Sequence, residues 1–498
     1  YIAIMKTNNI FSILLLAVAT LVLSGCSDWL DYTPKDKTTA EQQFSTRAGF
    51  YTAVNGVYNR LASTTLYGNT LSYGAIDLMG QRYEAGTNQY SPKYLWSGFK
   101  YTNSTLQSSL NYVWQEAYQT ILNANVILQG VDEQKGVLPD IDKNLIKGDL
   151  LALRAFLHFD MLRLFGTVYS QDSKTAVIPY NDSTEPKAYD LLSSKEIVYD
   201  HLLPDLNAAE QCLKAADPIQ TVGVTEENND DNDNYRSYRQ MRLNYFAVAL
   251  LKARVYQWAG DTDNALLEAQ KITDNEDVKH LLPFVNPDKL LGNTYNPDRI
   301  FSTEVLFGVF NSERSDIYKN VFDGANLNST DMYRPYAGYI EKLFPNQADY
   351  RFQSQWIHNG SYYNFGKFKE VTYDASASPL FAVLMPLMRI SEAYYIAADC
   401  MKKKGDMAGA VNYLNAILNK RGATPLNASA SASEFDQQLK LEYIREFWGE
   451  GQIFFMFKRT FSSIGGVFNG NISNQWSSVN PTTAVYVLPT PSSEKENR

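Results

Sequence analysis

Apolar residues recur every three or four positions in three stretches of the N-terminal half, and each run predicts a helix with one buried face. "AGFYTAVNGVYNRLA" sets Phe50, Val54, Val57 and Leu61 on one stripe. "VWQEAYQTILNANVIL" does the same with Val113, Ala117, Ile121, Ala124 and Leu128. "KGDLLALRAFLHFDMLRLFG" carries Leu150, Leu153, Leu157, Met161 and Leu164, then meets Gly166, where a helix is expected to stop. Two later stretches, "AVALLKARVYQWAGDTDNALLEAQKI" and "AYYIAADCMKKKGDMAGAVNYLNAIL", resemble each other. They align Gly260 with Gly405, Asp261 with Asp406, Ala253 with Ala398 and Ala265 with Ala410. Small residues at these offsets let two antiparallel helices approach closely, and Gly-Asp supplies the turn between them. Each is read as a tetratricopeptide-like helix pair, and such pairs stack into a solenoid. The earlier helices are expected to form two more, degenerate units.

Between the helical runs, residues 66–105, 167–190, 216–238, 281–385 and 422–433 lose this periodicity and are rich in Tyr, Asn, Gly, Ser and Pro. Connections of such length in a packed protein usually carry function. Short strands are expected in "EVLFGVF" and "AVYVLP".

The N-terminus has a separate logic. Ile10 to Leu23 is uncharged and apolar, with Lys6 ahead of it. Its 14 residues fall short of the roughly 20 that a spanning helix takes, and fit a secretory signal instead, with Met5 as the expected start. Leu23-Ser24-Gly25-Cys26 resembles a bacterial lipobox, which implies cleavage before Cys26 and lipid on its sulfur and new amino group. The expected organisation is a signal peptide over residues 1–25, a lipidated tether over 26–43, and one body over 44–498.

Composition narrows the function. The net charge is −9 and no basic face is concentrated anywhere, which argues against nucleic acid as a partner. Beyond Cys26, Cys212 and Cys400 lie in different helical segments and are expected as two buried free thiols. No zinc spacing is available. The sequence holds no nucleophile elbow, phosphate-cradling Gly loop or His-Glu-x-x-His stretch. Of the scattered histidines, His158 falls inside an amphipathic helix, where a packing role is expected. Glu442, Glu446 and Glu450 line up at i, i+4 and i+8. They suggest either the carboxylate pair of a glycosidase or ion pairs with Arg445 and its neighbours, and ion pairing is the expectation. "EENNDDNDN" alternates acidic and amide groups as a calcium loop does. An EF-hand would place Gly and Glu where Tyr235 and Met241 stand, so a solvated loop is expected. No metal, no cofactor and no catalytic residue is expected.

The order of several motifs resembles the SusD/RagB family, the surface lipoproteins of Bacteroidetes nutrient uptake. The lipobox is followed by "DWLDYTPKD", then "WQEAYQTILNAN" and "KGDLLALRAFLHFDMLRLFG". Later come "LMRISEAYYIAADCMKKKGD", "NAILNKRG", "LEYIREFWGEGQIFFMFKR" and "VLPTPSSEKENR". The resemblance implies a mainly α fold, a right-handed superhelix of four tetratricopeptide-like helix pairs with long irregular ligand-binding loops and few short strands. It implies a non-enzymatic protein that binds glycan, or in some branches oligopeptide, and sits as a lid over a SusC-like TonB-dependent transporter. Asp28 and Asp31 resemble the signal that exports such lipoproteins to the outer face of the outer membrane. A surface hydrolase and a purely protein-binding scaffold are the competing classes.

The aromatic residues sharpen the ligand reading. Tyr occurs 34 times, and many of these fall in the non-periodic segments. Sugars lay apolar C–H faces against rings while their hydroxyls seek polar partners, which suits Tyr. "MGQRYEAGTNQYSPKYLW" brings Tyr83, Tyr90, Tyr94 and Trp96 together with Arg82 and Asn88. "DMYRPYAGY" offers Tyr333, Arg334 and Tyr336, and "QWIHNGSYYN" offers Trp356, Asn359, Tyr362 and Tyr363. In position, though not in motif, these segments match the family's ligand face. Tyr83, Asn88, Tyr94, Trp96, Tyr333, Arg334, Tyr336, Trp356, Tyr362 and Tyr363 are therefore the candidate glycan contacts.

Overall fold

A computed structural model describes residues 40–224, 234–292, 296–328, 331–371, 380–465 and 478–496. The signal peptide, Cys26, most of the tether and nearly all of the acidic "EENNDDNDN" stretch lie outside these residues. Ala40–Gln43 form a helical turn, and the Phe44 ring stacks on Phe50 at 4.8 Å.

Helix α1 (Arg47–Leu61) opens at Thr46, whose hydroxyl accepts from the Gly49 N–H at 3.1 Å. Phe50, Val54, Val57 and Leu61 are buried as their spacing predicts. Helices α2 (Ser104–Glu133) and α3 (Asp140–Phe165) follow, with the predicted stripes of both inside and Gly166 closing α3. The row continues through α4 (Leu203–Ala216), α5 (Tyr245–Ala259), α6 (Thr262–Thr273), α7 (Ile390–Lys403) and α8 (Met407–Lys420). From α2 to α8 each helix packs on the next, the stacking expected of tetratricopeptide-like pairs. α9 (Ala432–Phe447) lies against α7 and leads to α10 (Ile453–Thr460).

The two Gly-Asp turns are near copies. Gly260 has φ +80° and Gly405 has φ +85°, left-handed values that glycine adopts without a Cβ penalty. The next residue caps the following helix in both cases. Asp261 accepts from the Asn264 N–H at 3.2 Å and Asp406 from the Gly409 N–H at 2.8 Å.

Helix α3 runs through the core and carries charge there. Asp149 and Asp217 hold the Arg239 guanidinium at 2.7 and 2.9 Å, and all three are buried. His158 has the packing role expected of it. Its Nδ1 donates to the Arg154 carbonyl at 2.9 Å and its Nε2 accepts from the Asn181 N–H at 2.9 Å. Burial pushes its pKa down to about 3, so the ring stays neutral. Cys212 and Cys400 are free thiols, though Cys212 is only half-buried.

Strands are short and paired two by two. β1 (Ala176–Ile178) pairs with β2 (Leu192–Ser193). β3 (Val305–Phe310), within the expected "EVLFGVF", pairs antiparallel with β6 (Leu384–Arg389). β4 (Trp356–Asn359) and β5 (Tyr362–Phe365) form a hairpin turned at Gly360, φ +63°. The strand expected in "AVYVLP" is instead a helical turn over Thr483–Tyr486. The Thr482 hydroxyl caps it, and Tyr486 is drawn inward onto Phe454 and Phe461 at 5.5 and 6.0 Å.

Candidate functional site

The three aromatic segments, separated by up to about 270 positions, meet at one place on the body. The Glu84 N–H donates to the Arg334 carbonyl at 2.9 Å, and Arg334 Nε donates back to the Glu84 carboxylate at 2.8 Å. Lys93 Nζ donates to the Met332 carbonyl at 3.0 Å. The Arg334 guanidinium lies over the Tyr362 ring, 4.9 Å from its centroid, which joins the third segment to the other two. Behind the β4–β5 hairpin the chain passes so close that a Cβ on Gly324 would stand 2.4 Å from Asn359 Nδ2.

The surface that results is half-open. Tyr94, Tyr333, Arg334, Tyr336, Asn359, Tyr362 and Tyr363 are partly exposed, and Asn88 and Tyr90 are exposed, Tyr90 at 77%. Partial burial raises the Tyr333 hydroxyl to about 12 and pushes Tyr336 up as well, so both remain neutral donors.

Three of the rings expected to contact ligand are elsewhere. Tyr83 is 1% exposed, Trp96 6% and Trp356 7%, and none offers a face to solvent. Tyr83 packs between Phe322, Tyr333 and Trp448 at 5.2 to 5.9 Å. Trp356 sits on Phe365 and Trp448 at 5.1 and 4.9 Å. These two form the floor beneath the exposed tyrosines. Trp96 is separate, packed on Tyr101 at 6.4 Å. Arg82, noted beside them, is fully buried, bonding the Gly80 carbonyl and the Tyr339 hydroxyl. The cause is common to all: a large ring in a non-periodic segment gains most by burial, and composition does not reveal which rings find a cavity in the core.

One contributor escaped the sequence reading. Glu84 follows directly on Tyr83, and where Tyr83 turns inward Glu84 turns out to hold Arg334. Below both, Asp77 Oδ2 accepts from the Gly449 N–H at 2.7 Å and from the Tyr83 hydroxyl at 3.4 Å. Burial pushes this carboxyl up to about 7.

The glutamate series, Glu442 and Glu446 on α9 and Glu450 in the turn beyond it, is structural. Glu442, Glu446 and Glu450 are at most 1% exposed. Arg351 reaches Glu442 and Glu446 at 2.7 and 3.0 Å, Arg421 reaches Glu446 at 2.6 Å and Glu304 at 2.5 Å, and Arg389 bridges Glu446 and Glu450. Arg445 pairs with Glu442 at 2.5 Å, as expected, and Lys367 with Glu450 at 2.5 Å. Burial acts to raise Glu446, but the guanidiniums of Arg421 and Arg389 outweigh it and hold the carboxyl well below its usual range. A group so held does not serve as a general acid. Among the described residues no cluster of His, Cys, Asp and Glu is arranged to hold a metal.

Comparison with known proteins agrees with this architecture. One family model, described as starch-binding associating with outer membrane, matches residues 28–221, and a second, the SusD family, matches residues 350–494. The chain belongs to the SusD/RagB family. Two SusD-like proteins of Formosa agariphila are 27% and 26% identical over 209 and 273 residues. Those matches cover 42% and 55% of this chain but only 38% and 47% of the relatives, so the chain spans about half of their length or less. Among solved structures, a putative sugar binding protein of Bacteroides vulgatus superposes with a TM-score of 0.68 at 20% identity, covering 91% of this chain and 97% of that one. Surface glycan-binding protein A of Bacteroides thetaiotaomicron superposes at 0.64 and 15% identity, covering 91% and 98%. Both superpositions extend over nine-tenths of this chain, so the fold is shared. Association with the outer membrane comes with the family description.

Proposed function

We propose that this SusD-family chain binds glycan at the cell surface without cleaving it and hands it to a SusC-like TonB-dependent transporter. The observation that carries the reading is the convergence of three distant segments on one half-open face of tyrosines, flanked by Arg334, Glu84, Asn88 and Asn359. Rings of this kind accept the C–H faces of sugars, while the amides, guanidinium and carboxylate take hydroxyls. The contact set is Asn88, Tyr94, Tyr333, Arg334, Tyr336, Tyr362 and Tyr363, with Tyr83 and Trp356 as its support. The sugar-binding descriptions of structural neighbours favour glycan over oligopeptide as cargo.

Anchoring belongs to the same proposal, through lipid on Cys26 at the outer leaflet. Several acyl chains hold a protein firmly where one holds it marginally. Cys26→Ala is expected to move the protein from the detergent phase to the aqueous phase. Equal partitioning of both forms would overturn the anchor. For the ligand, native gels of the full chain cast with separate polysaccharides, or run with peptide digests, are expected to show retardation by at least one polysaccharide. Retardation by peptides alone would overturn the glycan reading.

A further inference from the structure

A separate concavity is lined by none of the aromatic segments. It encloses about 670 Å³ between the N-terminal half of α2, the segment 181–189 and the C-terminal turn at Ser493 and Glu494. That volume is within the range of small-ligand sites, roughly 300 to 1,000 Å³. Its wall is fixed from behind. Asn125 Nδ2 on α2 donates to the carbonyls of Asn181 and Ser183 at 3.1 and 3.2 Å. Thr184 bonds Gln129 at 2.6 Å, and the Asn181 N–H is held by His158.

The lining chemistry points to one ligand class. Buried Trp114 and the half-exposed Tyr118 on α2 line it together with half-exposed Tyr189 of the segment 181–189. Four of the five charged residues lining the groove are matched in pairs, Arg60 with Glu116 at 2.9 Å and Lys187 with Glu185 at 3.1 Å, and the fifth is Glu494. A charged ligand would gain little there and would have to compete with these pairs. Between the rings, Gln119 and the amide and hydroxyl residues Asn181, Ser183 and Thr184 add polar lining. Ring faces set beside amides and hydroxyls suit a neutral ligand that carries both apolar C–H faces and hydroxyls, as an oligosaccharide does. We propose that this groove is a second carbohydrate site, taking a neutral oligosaccharide along α2 independently of the three-segment face.

Calorimetry on the detergent-solubilised full chain tests this, with maltoheptaose, cellohexaose, laminarihexaose and, as a charged probe, oligogalacturonate. Gln119→Ala on α2 and Tyr189→Ala on the segment 181–189 are made separately, since they lie on different elements, and each is checked for an unchanged melting temperature. The expected result is that a neutral oligosaccharide still binds Tyr336→Ala/Tyr362→Ala, and that either groove substitution added to that variant weakens the remaining binding by about tenfold or more. Groove variants that bind every probe like their parents would overturn the second site while leaving the three-segment face standing. Loss of all binding from the groove substitutions alone would keep the groove and overturn the face. Binding of oligogalacturonate only, or of no probe by the unaltered chain, would overturn the proposal.

Discussion

Tyr83 and Tyr333 pack with ring centroids 5.2 Å apart, yet only Tyr333 reaches solvent. The pair marks the boundary between the half-open tyrosine surface and the aromatic layer that supports it. Tyr83→Ala is therefore expected to act on stability first, by about 3 to 5 kcal/mol, the usual cost of emptying a large buried aromatic site. Chemical denaturation of the variant should show a lowered midpoint with an unchanged slope. A melting temperature like that of the unaltered protein would contradict the burial.

Tyr336 and Tyr362 behave in the opposite way. Both are partly exposed, so Tyr336→Ala and Tyr362→Ala are expected to leave folding almost unchanged. Glycan exchanges water for protein hydrogen bonds nearly evenly, which leaves ring contact to dominate net affinity. Each truncation should cost about 1 to 3 kcal/mol, or roughly 5- to 150-fold in Kd. Calorimetry with the polysaccharide found by gel retardation reads this directly.

Gly260 and Gly405 isolate backbone strain from crowding. A Cβ at either would meet nothing within 4 Å, so the left-handed φ is the whole penalty. Gly260→Val and Gly405→Val are each expected to cost about 1 to 3 kcal/mol, and the corresponding Asn variants clearly less. Thermal melts that rank Val and Asn equally would contradict the account.

Asp77 gives the body a pH signature. Its folded value of about 7 stands above the unfolded value near 3.9, so the folded chain holds the extra proton between those limits. Stability from this group is greatest below about pH 4, falls as pH rises to about 7, and is level beyond. Asp77→Asn removes the dependence. Relative to the unaltered protein, the variant should gain roughly 2 to 4 kcal/mol between pH 4 and pH 8. Denaturation midpoints of both proteins across that range measure it, and parallel curves would rule the shift out.

The helical part of the fold was legible because its signals are local. The stripes through Phe50 and Leu157 and the left-handed turns at Gly260 and Gly405 each follow from residues a few positions apart. The three aromatic segments, read in the sequence as one candidate surface, do meet in the fold. Which rings face outward was not. Tyr83 and Tyr333 look alike in sequence, and their fates are decided by Phe322 and Trp448, residues far along the chain. The same distance hid Glu84, whose partner Arg334 lies 250 positions away. The turn over Thr483–Tyr486 was hidden by a β-like composition that Tyr486 overrides by burying its ring.

The charge cluster around Glu446 has a consequence for the order in which the chain becomes a protein. Arg351, Arg389 and Arg421 all emerge from the ribosome before the one carboxylate they share. Until α9 is made, three cations destined for the interior lack their common counter-ion, and burying them early would be strongly unfavourable. The stretch from 331 to 363 that carries most of the candidate contact residues is held in place through Arg351 and, beyond it, Lys367. Synthesis that stops short of Glu446 is therefore expected to yield a chain whose early helices can pair while its binding face stays unassembled and open to proteases. The assembly of the half-open tyrosine face is thus a property conferred by the last hundred residues, although none of its tyrosines resides there.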